Sequence, residues 1–204
     1  MKHFERELVR GFLHEPEQPN GNGLVITHGA GSNSDTALLK AVAEAFANAG
    51  VATLRYDLPF RQQRPKGPPF PAQAERDREG LRRAVQALRE IAGGRVFLGG
   101  HSYGGRQATM LAAEEPNVAD ALLLLSYPLH PPRKPQELRT GHFGGIQIPA
   151  LFVHGTRDTF GTIDEMRAAL TLIPARTDLA IAEGAGHSLT PAVAAMCVLR
   201  LSVL

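Results

Sequence analysis

The stretch RVFLGGHSYGGR, residues 95 to 106, decides how the chain is read. Its first half is a short apolar run of the kind that forms a buried strand, and the residues from Tyr103 onward take on helical periodicity. Between the two stands Gly100-His101-Ser102-Tyr103-Gly104, so the glycines fall where a strand must turn sharply into a helix. The spacing has a steric reason. Such an elbow pushes Ser102 into a strained, exposed conformation, and side chains at 100 and 104 would collide with neighbouring backbone. A glycine-rich turn that binds phosphate would look similar, but the Lys-Ser or Lys-Thr pair of a P-loop is missing. Ser102 is therefore the candidate nucleophile.

Working outward from this elbow, short runs rich in Val, Leu and Ile alternate with longer segments of helical period. Strands are predicted at 24–27, 51–56, 96–98, 121–125, 150–153 and 179–181. Helices are predicted around 36–49, 73–92, 103–115, 162–172 and 191–203, the fourth opened by Thr162 with Glu165 three residues on. This ladder predicts an α/β fold: a mainly parallel central sheet with helices on both faces, as one domain over 1–204 and without a cap domain. The segment 4–13 alternates weakly and is expected to supply an extra antiparallel edge strand. Residues 58–71 carry five prolines and read as an irregular surface loop. Residues 127–149 read as a second long excursion, with His130 and Phe143 as candidate walls of the site.

Composition narrows the partner. The 22 Lys and Arg against 20 Asp and Glu leave a net charge of +2, with no like-charged block to suggest a nucleic-acid or membrane surface. A small molecule is the expected partner, and the sequence does not fix an oligomeric state. The charged amino terminus and the lack of a long apolar run predict a cytoplasmic protein. The single cysteine, Cys197, reads as a packed thiol.

A serine hydroxyl needs a base within hydrogen-bond reach and an acid to hold that base. These partners are expected at the carboxyl ends of later strands, where a parallel sheet gathers its loops. Asp158 follows the run at 150–153 and His187 follows the run at 179–181. For the acid, Asp57 comes before the nucleophile, Asp164 belongs to a helix, and Glu183 lies awkwardly close to His187. For the base, His28 and His101 sit in turns and His154 near a strand end, so each is expected to be locally bonded. The eight histidines show no His-Glu-x-x-His spacing, and neither metal nor cofactor is called for. His28-Gly-Ala-Gly31, after the first core strand, offers backbone donors, and the N–H groups of Ala30 and Tyr103 are the expected oxyanion hole.

From about residue 20 onward, this order and spacing resemble the α/β-hydrolase superfamily, especially its small dienelactone-hydrolase-like members. The segments GGHSYGGR at 99–106, YPLHPP at 127–132 and LFVHGTRDTFG at 151–161 are similar to a lid-poor subgroup that includes a subunit of a chromatin acetyltransferase complex. The resemblance implies the α/β-hydrolase fold, with nucleophile, acid and histidine at Ser102, Asp158 and His187. Dienelactone hydrolases proper use cysteine, so their substrate does not carry over. The expected function is a serine hydrolase, an esterase acting on small or short-chain acyl substrates through an acyl-enzyme. The alternatives are thioesterase, amidase or peptidase chemistry on the same triad, or a non-catalytic interaction module that keeps the fold. Arg61 and Arg64 read as solvated arginines rather than as guides for an acidic substrate.

Overall fold

The computed structural model describes all residues, Met1–Leu204. Each apolar run of the ladder becomes a strand, and all but the last, half-buried one are buried on both faces, which is why they carry little polar alternation. In chain order they are β1 (Lys2–Arg6), β2 (Val9–His14), β3 (Gly23–Thr27), β4 (Ala52–Asp57), β5 (Val96–His101), β6 (Ala121–Leu125), β7 (Ala150–Gly155) and β8 (Thr177–Ala182). They form one sheet in the order β1-β2-β4-β3-β5-β6-β7-β8. The strands from β3 to β8 run parallel, while β1 and β2 pair antiparallel with each other and with β4. From β3 the chain first moves to one side, to β4, and then crosses to the other, to β5. The loops after β3 and β5 consequently diverge at a topological switch point, where open α/β sheets place their sites.

The two-residue period of each strand divides its side chains between two cores. Val25, Leu98, Leu122, Leu124 and Phe152 face one side, against α3 (Ala74–Arg89), α4 (Tyr103–Glu114) and α5 (Ile163–Leu170). Leu24, Ile26, Phe97, Leu123 and Leu151 face the other, against α1 (Ala37–Asn48) and α6 (Ala194–Leu201). Two helices open on side-chain caps, the one before α5 as the sequence expects. Thr36 Oγ1 accepts the Leu39 N–H, and Thr162 with Glu165 forms a reciprocal capping box before α5. Cys197 lies in the second core, where burial pushes its thiol up to about 12.

Three expectations need correction. The amino-terminal stretch is a full hairpin rather than a single strand. Val9, Gly11 and Leu13 of β2 point inward, and the charges that weakened the pattern belong mainly to the outer β1 and to a turn where Leu8 takes φ 60°. The first half of 58–71 is not a surface loop but α2 (Pro59–Gln63), with Leu58 and Phe60 in the core. Pro59 occupies the first helical position, where a missing N–H costs nothing. The excursion 127–149 also turns inward. Phe143 is wholly buried, with its ring centroid 5.3 Å from that of Tyr127 and 6.2 Å from that of Phe152. His130 is buried as well, its Nδ1 donating to the Pro131 carbonyl at 2.8 Å. Neither residue is a wall of an open cleft.

Because Phe143 anchors this excursion in the core, Phe143→Ala should cost about 3–5 kcal/mol of unfolding free energy, as truncation of a buried phenyl ring does. Urea unfolding followed by circular dichroism measures it. A loss below about 1 kcal/mol would mean that the excursion is not part of the cooperative core.

Candidate active site

The elbow between β5 and α4 is built as its glycines require. Ser102 takes φ 51° and ψ −114°, a region that costs a residue with a side chain of order 1–3 kcal/mol and persists only where surrounding contacts impose it. Those contacts are close. A Cβ on Gly100 would lie 2.7 Å from the Gly104 carbonyl carbon, and one on Gly104 would lie 2.6 Å from the His28 carbonyl oxygen. The Ser102 N–H donates to the Leu125 carbonyl at 2.8 Å, and its own carbonyl accepts the Arg106 N–H at 2.9 Å. The hydroxyl is thereby lifted to the carboxyl end of the sheet.

Two later loops meet it there. His187 Nε2 stands 2.8 Å from Ser102 Oγ, and its Nδ1 lies 3.0 and 2.9 Å from the two carboxylate oxygens of Asp158. The Asp158 side chain is fully buried and that of His187 partly exposed, so the acid is shielded while the imidazole reaches the surface. Burial pushes the Asp158 carboxyl up. The hydrogen bonds from His187 and from the Phe160 N–H outweigh it, and the group is held below its usual range, ionised. The Phe160 ring stacks on His187 at 4.1 Å between centroids and 28° between planes, which fixes the plane of the imidazole. From below, His101 Nε2 donates to the His187 carbonyl at 2.8 Å.

The competing residues are occupied elsewhere. Asp57 accepts the Ser34 N–H at 2.6 Å, Asp164 pairs with Arg167 in solvent at the start of α5, and Glu183 is exposed. His28 is wholly buried, its Nδ1 donating to the Gly29 carbonyl and its Nε2 accepting the Leu58 N–H. His154 Nε2 donates to the Gly161 carbonyl at 2.8 Å. No three His, Cys, Asp or Glu side chains converge as metal ligands, and no helix is long and apolar enough to cross a membrane.

The loop after β3 lies against the elbow. A Cβ on Gly29 would stand 3.3 Å from Ser102 Cβ, and Ala30 is the next residue of that loop. Tyr103 is the first residue of α4, where an N–H has no partner inside the helix. Arg61 holds the Ala30 loop in place. Contrary to its reading as a solvated residue, it is buried, and it donates to the carbonyls of Ser32 (2.8 Å), Ala30 (2.9 Å), Gly67 (3.0 Å) and Arg64 (3.1 Å). Asp77 does the same for the other side. Its carboxylate accepts the Phe60 N–H at 3.0 Å and the Tyr103 hydroxyl at 2.8 Å, tying α2 and α4 to α3.

Burial also sets an acid limit. It is the main reason that His14, His28 and His142 are each lowered to about 4. Unfolded, each returns to about 6.5, so the unfolded chain binds more protons throughout the window between the two values. Stability should therefore fall as pH drops from 6.5 toward 4 and be insensitive to these groups above 7. Urea midpoints measured from pH 4 to 8 check this, and a flat profile below 6.5 would contradict it.

Comparison with known proteins agrees with this architecture. An α/β-serine hydrolase homologue from Coxiella burnetii superposes with a TM-score of 0.78 at 15% identity, covering 98% of this chain and 96% of its own. The dienelactone hydrolase of Anabaena variabilis gives 0.72 at 23% identity, covering 95% of this chain and 88% of its own. A serine hydrolase without a lid from Xanthomonas campestris gives 0.74 at 15% identity, covering 98% and 93%. At these identities the likeness speaks for the fold. The family model described as "Alpha/beta hydrolase domain" matches residues 20–196, which takes in the Ala30 loop, the elbow and the loops of Asp158 and His187, and the chain therefore belongs to the alpha/beta hydrolase family.

Proposed function

We propose that the protein is a serine hydrolase that cleaves small or short-chain acyl esters, with Ser102 as nucleophile, His187 as base and Asp158 as orienting acid. The observation that carries this reading is the unbroken line from Ser102 Oγ through both nitrogens of His187 to the buried Asp158 carboxylate, every link at 3.0 Å or less. His187 Nε2 takes the proton of Ser102 as Oγ attacks the ester carbonyl, and Asp158 stabilises the imidazolium that forms. The N–H groups of Ala30 and Tyr103 receive the oxyanion, each contributing about 3 kcal/mol of transition-state stabilisation. Collapse of this intermediate passes the proton from His187 to the leaving alcohol and leaves an acyl-Ser102. Water, deprotonated by His187, then attacks that acyl group, and collapse breaks the acyl–Oγ bond as His187 returns the proton to Ser102 Oγ and the acid leaves. Thioesters and amides would follow the same route. Short substrates are favoured because the apolar side chains at both ends of the excursion 127–149, Tyr127, Leu129, Phe143 and Ile146, pack into the core and are withdrawn from the site, which limits the apolar surface offered to a long chain.

A non-catalytic interaction module would have no use for a strained serine aligned with a shielded acid. The strained backbone at Ser102 and the burial of a carboxylate both cost stability, and the reading as a hydrolase accounts for that cost.

A fluorophosphonate probe should label Ser102, as peptide mapping will reveal, and Ser102→Ala should abolish labelling. An unlabelled, folded wild type would refute an activated serine. Across p-nitrophenyl esters from acetate to dodecanoate, kcat/KM should peak at short chains, and a steady rise with length would require a buried acyl tunnel.

Asp158→Asn should leave the fold intact and lower kcat by roughly 10³–10⁴, the loss expected when the imidazole is no longer held in the required tautomer. Unchanged turnover in this variant would move the acid role elsewhere, with Glu183 the first to test.

A further inference from the structure

Beside the elbow lies a cleft that the steps above leave unused. It begins at Tyr103, next to Ser102, and runs along α4 past Arg106 to Met110. Phe70 and its flanking prolines form the opposite wall, enclosing about 320 Å³. Its chemistry is unbalanced. Arg106 belongs to no ion pair, and its Nε–H is buried without a hydrogen-bond partner. That N–H is closed to a ligand in the cleft, so what the cleft offers is the outer edge of a guanidinium that no carboxylate neutralises. Arg64 lies outside the lining, with its guanidinium 4.3 Å above the Phe70 ring and donating to the Pro68 carbonyl, and its Nε–H is buried and unpartnered. No other arginine of the protein has a buried unpartnered guanidinium nitrogen.

The surroundings add positive charge. Arg139 lies close enough to Arg106 to be lowered, after burial, by its charge, while His142, lowered to about 4 by burial and then by Arg106 and Arg78, stays neutral and offsets none of it. The carboxylates on this side are already engaged: Asp77 with Tyr103 and Phe60, Glu114 with Arg78.

We infer that this cleft is an anion subsite, and that the hydrolase, taken as proposed above, prefers acyl esters whose far end carries a carboxylate bound by Arg106. The planar fork of a guanidinium matches the two oxygens of a carboxylate, and Phe70 and Met110 suit the methylenes between. Arg106 follows Ser102 by four residues, about 6 Å along a helix axis, so a linker of a few methylenes spans the reacting carbonyl and the charge.

Monoethyl adipate and ethyl adipamate test the idea, since the second replaces the carboxylate by a neutral amide of nearly the same shape. Wild-type kcat/KM should favour monoethyl adipate by at least tenfold, and the ratio should shrink with added salt. Arg106→Gln should bring the ratio near one, with Arg106→Lys in between. A purely structural role for Arg106 would lower both rates and leave the ratio where it was. Equal wild-type rates for the two esters would overturn the subsite while leaving the hydrolase reading intact. Should neither ester turn over, calorimetry decides independently of chemistry. Monoethyl adipate should bind Ser102→Ala at least tenfold more tightly than ethyl adipamate does, and lose that advantage in Ser102→Ala/Arg106→Gln. Equal binding of the two would end the proposal.

Discussion

The close approach of three backbones, at the end of β3, the end of β5 and the first turn of α4, holds the rest of the site in place. A Cβ on Gly105 would lie 2.7 Å from the Gly100 carbonyl oxygen, and one on Gly104 an equal 2.6 Å from both His28 O and Thr27 Cγ2. With any larger residue at these positions α4 would move away from the sheet, Ser102 would relax from its left-handed conformation, and the Ala30 loop would lose its neighbour. The two hydrophobic cores on either side of the sheet supply the packing energy that offsets this local strain.

Much of this was legible in the sequence because it depends on local pattern. Runs such as Leu122 to Leu125 could only be buried strands in a chain of alternating βα units, and the glycine spacing around Ser102 has few other structural uses. The order of Asp158 and His187 followed from where a parallel sheet gathers its loops, and the distances among the three side chains agree with that order.

The less legible parts depend on contacts between residues distant in sequence. Proline content suggested an irregular surface loop for 58–71, yet Pro59 starts a helix whose Phe60 N–H is received by Asp77, 17 residues further along the chain. Arg61 looked like one more surface cation. Its burial depends on carbonyls from two loops, and no count of charges or prolines could assemble those acceptors in advance. Phe160 was passed over for a different reason: a lone aromatic after an acid is ordinary in sequence, and only the fold brings its ring onto His187. Phe143 failed in the opposite sense, since an aromatic flanked by glycine was read as part of an open wall when it is a core residue.

The amino-terminal hairpin has a consequence outside the site altogether. A mostly parallel sheet that stopped at β4 would present a long, buried-type strand with free N–H and C=O groups to any other chain. Here β2 covers that margin and β1 covers β2, and the last strand is exposed at Lys2, Glu5 and Arg6. A neighbouring molecule trying to extend the sheet would have to place its own backbone among these charges, against the solvation they retain. The hairpin thus gives this margin of the sheet a charged selvage that opposes further strand pairing along it.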